Sequence, residues 1–186
     1  MSMRKSAQFV SFVTLPLWIP LFISFSFRHT SAVLWASASC FVLLALIFFY
    51  KNIGLLTSLH MPTRAERLLP LATSIVMYIL FAVLCYFYAK NMFPVYILAF
   101  FTVLGLYVVN LWDKVSIHVA GITAGVLWFM QFYVWNVFTI CIGLLLVLCV
   151  VWARLYLKAH TVKQIVAGFV TGVISYGISL LIPVNL

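Results

Sequence analysis

Twelve residues from Ala153 to Gln164 hold three cations, Arg154, Lys158 and Lys163, together with His160 and the Gln164 amide, in a chain whose charged residues are only 7% of the total. Polar groups are costly beside lipid, so such a cluster is a functional-site candidate by default. Two further clusters share its chemistry: His60, Arg64, Glu66 and Arg67 in one, and Asp113, Lys114, Ser116 and His118 in the other. Imidazoles shuttle protons near neutral pH, while guanidinium and ammonium groups bind anions, so the combination points to acid–base chemistry on an anionic group.

The elements that must position these residues are apolar. With 67% hydrophobic residues, 17% aromatics and a mean hydropathy of +1.23, the composition is that of an all-α, multi-pass transmembrane helix bundle rather than a soluble domain. A transmembrane β-barrel would read as short alternating segments, which these continuous runs exclude. One integral-membrane domain over residues 1–186 accounts for the length. The net charge of +9 would indicate nucleic acid in a soluble protein, but here the cations sit between apolar runs and read as headgroup, topology or phosphate-site residues, with no nucleic-acid partner. Cys40, Cys85, Cys141 and Cys149 all fall inside apolar runs and read as packing residues rather than disulfides or metal ligands.

Six to seven spans are expected. The first covers about Phe9 to Phe27; Pro16, Pro20 and its length favour a retained, kinked span over a cleaved signal peptide. The others cover about Ser31–Tyr50, Leu69–Tyr88, Phe93–Leu111, the run entered at Asp113–His118 and ending near Phe132, Val137–Trp152 and Gln164–Ile182, with an aromatic interfacial turn at Tyr133–Asn136. Two spans separate Arg67 from Lys114 and two separate His118 from Arg154, so all three clusters emerge on one face of the membrane. Gly121-x3-Gly125 and Gly168-x3-Gly172 allow close helix approach, so the helices bearing them could meet, although the pattern is also common in generic packing. Ser116 can cap the helix that follows it, turning helical amides toward an anion. Thr63–Glu66 and Thr161–Gln164 both fit capping boxes.

Ser116-Ile-His118, followed two spans later by Arg154-x5-His160, resembles the second and third signature motifs of the type 2 phosphatidic acid phosphatase family of membrane lipid phosphatases. The resemblance implies His160 as the nucleophile that becomes phosphohistidine and His118 as the acid protonating the leaving group. It implies Arg154, Ser116 and Arg67 as holders of the phosphoryl oxygens. Lys114 would add charge to the same site or snorkel to the interface. Phosphoryl transfer needs this division of labour: an in-line nucleophile and fixed positive charge around the equatorial oxygens. No cofactor or metal is implied, which suits a chain whose carboxylates are Glu66 and Asp113 alone.

The first and third motifs depart from the family pattern. Gln164 stands where an aspartate orients the nucleophile, Ala153 where a serine precedes the arginine, and His60-x6-Arg67-Leu68 where the first motif reads Lys-x6-Arg-Pro. Glutamine can still accept from the imidazole N–H, or serve the capping box, or both. His60 and Arg64 contact either phosphate or lipid headgroups. The expected activity is therefore metal-independent hydrolysis of a lipid phosphomonoester or pyrophosphate. The alternative is a catalytically degenerate scaffold that binds phospholipid or a partner protein. Eleven cations divide nine to two in favour of the site face, with only Arg28 and Lys90 opposite; this places that face in the cytoplasm of a cell (inner) membrane protein.

Overall fold

The computed structural model describes residues 3–13, 19–24, 30–58, 61–132 and 137–182. His29, His60 and the Tyr133–Asn136 turn lie outside them. The described residues form α-helices joined by short connections, with no strand among them: α1 (Met3–Val13), α2 (Ile19–Ser24), α3 (Thr30–Asn52), α4 (Ala65–Tyr88), α5 (Phe93–Asn110), α6 (Ile117–Phe132), α7 (Val137–Tyr156) and α8 (Val162–Ser179).

Five helices, α3, α4, α5, α7 and α8, are long and apolar enough to cross a bilayer, fewer than the six to seven expected. The shortfall has two sources. At about 1.5 Å rise per residue, the 16 residues of α6 span roughly 24 Å, short of a hydrocarbon core. The expected first span, Phe9 to Phe27, overlaps only the end of the 11-residue α1 and contains the 6-residue α2. α1 is amphipathic: Ala7 and Ser11, one turn apart, are buried, while Arg4, Lys5, Gln8 and Phe9 are exposed. It packs on α7.

α4 and α5 form an antiparallel hairpin through a single 3₁₀ turn at Lys90–Met92. α3 runs antiparallel to α4. Near its start Trp35 stacks on Tyr88, with ring centroids 6.5 Å apart, and just beyond its end the Thr57 hydroxyl donates to the Glu66 carboxylate at 3.1 Å. In the half of the bundle remote from the polar clusters, Tyr78, Phe81 and Tyr96 pack with Trp128, and the Tyr96 hydroxyl bonds to the Trp35 carbonyl at 2.8 Å. Beneath the clusters the core is smaller: Leu71, Leu106, Val115 and Ala120 on one side, Val119, Val150 and Ile165 on the other. Large apolar side chains cover the outer face of α7, where Leu144, Leu145 and Leu148 are exposed as they would be to lipid.

α6 and α8 approach closely, as the glycine pattern predicts for α8. A Cβ on Gly168 would sit 2.6 Å from the Ser116 carbonyl oxygen, and one on Gly172 2.5 Å from that of Ala120. The matching half of the expectation is different: Gly121 and Gly125 line an apolar cavity shared with α2, α4 and α5. α6 thus presents Ala120, Thr123 and Ala124 to Gly172, one helical step away from its own glycines.

Candidate active site

Three segments far apart in sequence are fastened together at one end of the bundle by main-chain and side-chain hydrogen bonds. Arg67, in the first turn of α4 and 4% exposed, donates from Nε to the Met61 carbonyl at 3.0 Å and from Nη1 to the Val115 carbonyl at 2.8 Å. The Ser116 amide donates to the Gln164 carbonyl at 3.2 Å, tying the start of α6 to the first turn of α8. Lys114 Nζ reaches the Ala159 carbonyl at 3.2 Å. Arg64 Nη1 donates to the carbonyls of Leu111 and Trp112 at 2.9 and 2.8 Å, closing the C-terminal end of α5.

Arg154 and His160 reach the site from either side of the α7–α8 turn. There the Ala159 amide bonds to the Arg154 carbonyl and the Lys158 amide to that of Leu155, with Lys158 at φ +50°, the left-handed residue of a Schellman ending. His160, 7% exposed, follows at once. Gln164 serves both of its expected roles. Its main-chain N–H donates to Thr161 Oγ1 at 3.4 Å and its side-chain Oε1 accepts from the Thr161 main-chain N–H at 3.3 Å, completing the capping box, while the same Oε1 lies 3.1 Å from His160 Nδ1.

Arg67, Lys114, Ser116, His118, Arg154, His160 and Gln164 all lie at this end of the bundle. His118 and His160 lie within electrostatic reach of each other, and each is also close to Arg67 and Arg154. Ser116 sits where a cap belongs, its carbonyl accepting the first α6 bond from the Ala120 amide, but its buried Oγ caps nothing and has no partner. Arg154 Nε is likewise buried and unpartnered. Lys114 lies in a non-helical connection rather than a turn of helix, yet remains close enough to Arg67 and Arg154 for them to depress its pKa, after the larger effect of burial. Burial, reinforced by Arg67 and Arg154, pushes the His160 imidazole down to about 3 against the opposing hydrogen bond from Gln164, so this ring is neutral at neutral pH.

One participant, Ser11, lies outside the sequence clusters, and the partners of another, Asp113, are not visible in them. Ser11 of α1 is buried against the site, where its Oγ accepts from Arg154 Nη1 at 3.2 Å and its backbone carbonyl accepts from the His118 ring. The only signal for it is the i, i+4 pair Ala7 and Ser11 on one face of a short helix. Asp113 pairs with Lys163 at 3.6 Å and accepts from its neighbour's amide, Lys114 N, at 2.7 Å.

No protein-family model, curated protein or solved structure matches the chain. The functional reading therefore stands on the residues and their arrangement.

Proposed function

We propose that the chain is a metal-independent membrane lipid phosphatase of the type 2 phosphatidic acid phosphatase kind, acting through a phosphohistidine. The observation that carries this reading is electrostatic. Arg67, Lys114 and Arg154 gather around two imidazoles, and among the described residues none of the three cations forms an ion pair. Like charges held together at this density repel unless an anion joins them, and a phosphate monoester or pyrophosphate matches in charge and in number of acceptor oxygens. Ser116 Oγ and Arg154 Nε, buried without partners, are further donors free to bind such a ligand.

The chemistry follows from the tautomer. With Nδ1–H donated to Gln164, His160 Nε2 carries the free lone pair and attacks phosphorus. The bond to the lipid oxygen breaks as His118 supplies a proton to it, and the cations absorb the charge spread over the equatorial oxygens. Water, deprotonated by His118, then attacks phosphorus, the N–P bond breaks, and inorganic phosphate leaves with His160 Nε2 restored. An amphiphilic substrate fits a site at the end of a bundle whose flanks are apolar. We read α6, together with the passage between α1 at the site end and the start of α3 at the opposite end, as completing six to seven crossings, with the site face cytoplasmic in a cell membrane.

The test is release of inorganic phosphate from a panel of lipid phosphates and pyrophosphates, with and without chelator. His160→Ala and His118→Ala, expressed normally, are expected to lose about 10³-fold or more in rate, and only chains with His160 should trap an acid-labile phosphoryl group. Arg154-dependent lipid binding without turnover or phosphohistidine would instead identify the degenerate scaffold.

A further inference from the structure

The Gln164 amide is oriented at both ends. The Thr161 backbone N–H can only donate, so the Gln164 atom 3.3 Å from it is the carbonyl oxygen. The same oxygen faces His160 Nδ1 at 3.1 Å, and that nitrogen must therefore bear the proton. At the far end of the amide, Nε2 donates to Asp113 Oδ1 at 3.5 Å. That carboxylate is itself held in place by the Lys114 amide at 2.7 Å and by Lys163 Nζ at 3.6 Å. The Lys114 amide, then Lys163 and Gln164, keep Asp113 below the usual carboxylate range, so it is charged at neutral pH. The Ser116 amide bond to the Gln164 carbonyl binds the Asp113 loop to the first turn of α8, so the row Asp113, Gln164, His160 spans two segments of the chain that are already fastened together.

We infer that Asp113 is a positioning residue for His160, acting through the Gln164 amide. This rests on the phosphohistidine reading above. When His160 Nε2 forms its bond to phosphorus and the bond to the leaving oxygen breaks, the Nδ1 proton stays in place and the ring takes on positive charge. A neutral amide offsets that charge poorly. A carboxylate hydrogen-bonded to the amide N–H draws electron density toward Oε1, the atom facing the ring, and so delivers part of a negative charge across one intervening side chain.

The experiment uses the full chain in lipid nanodiscs, labelled with ¹⁵N-histidine, and two readouts: the Nδ1–H resonance of His160, which needs no turnover, and kcat and KM on a lipid phosphate. Asp113→Asn, an isostere that keeps an acceptor oxygen but not the charge, is expected to retain the Nδ1–H tautomer and move its proton resonance upfield. It should lower kcat about 10- to 100-fold with KM little changed. Adding Gln164→Glu, which sets a carboxylate directly on His160, is expected to restore both resonance and kcat. An unchanged resonance and kcat in Asp113→Asn, or no recovery in the double variant, overturns the proposal. A wild-type chain that hydrolyses no lipid phosphate refutes the phosphatase reading alone, because the resonance still reports whether Asp113 polarises the bond to His160.

Discussion

A histidine that stays neutral well below its usual titration range has two consequences, one for chemistry and one for stability. Because burial, Arg67 and Arg154 hold His160 near 3, its neutral form persists through mildly acidic pH in the free protein. Unfolded, the same ring titrates near the ordinary value of about 6.5. Between those two values the unfolded chain binds the extra proton, so His160's contribution to stability is intact above about 6.5 and is lost as pH falls toward 3. The melting temperature of the detergent-solubilised protein is expected to drop as pH is lowered from about 7 to about 4.5, and the slope should be shallower in His160→Asn. An equal slope in both proteins would assign the effect elsewhere. At this scale much of the site was legible, since His118, His160, Arg67, Lys114 and Arg154 are conspicuous in an apolar chain. Ser11 was not, because a serine inside a hydrophobic run carries no mark of the distant arginine it meets. Nor was the reach of Asp113 to Gln164, 51 residues away, which depends on how two loops are fastened together.

Among the helices, the α6–α8 contact does most to place the chemistry, because the residue facing Gly168 is Ser116 itself. Gly168→Ala would drive a methyl into a main-chain carbonyl that cannot rotate away. We expect a loss of about 1–3 kcal/mol in stability and a rise in KM as the Ser116 hydroxyl is displaced. Gly177→Ala on the same helix, where a Cβ meets nothing within 4 Å, is the control and should be neutral or slightly stabilising. If the two variants behave alike, the close approach has no role in positioning Ser116. The α8 glycines were readable from their spacing alone. The α6 pair misled because a small-x3-small stripe shows that something approaches closely without saying which neighbour does. The described residues do not confirm the first expected span for a related reason: the apolar run counted from Phe9 leaves out Arg4, Lys5 and Gln8, whose exposure makes α1 two-faced.

For the molecule as a whole, the assignment of all three clusters to one end came from counting crossings, and it survives although the helix count differs, because α4 to α8 still alternate in direction. The excess of cations at that end predicts which compartment it faces. In spheroplasts, a Lys163→Cys variant, whose wild-type side chain is 85% exposed, should resist an impermeant thiol reagent until the membrane is opened, whereas Lys90→Cys at the opposite end should react at once. The reverse pattern would put the site outside. Both variants need a background in which the exposed Cys141 is replaced. The bond between Ser11 and Arg154 joins residues 143 apart, so α1 docks on a helix that is synthesised well after it. Until α7 is in place, α1 has no partner for its buried face, and its cationic, amphipathic character suits it to rest on the bilayer surface in the interval. Completion of the candidate site thus waits on the synthesis of α7, and a nascent chain stalled before it would lack both the arginine and the wall that α1 provides.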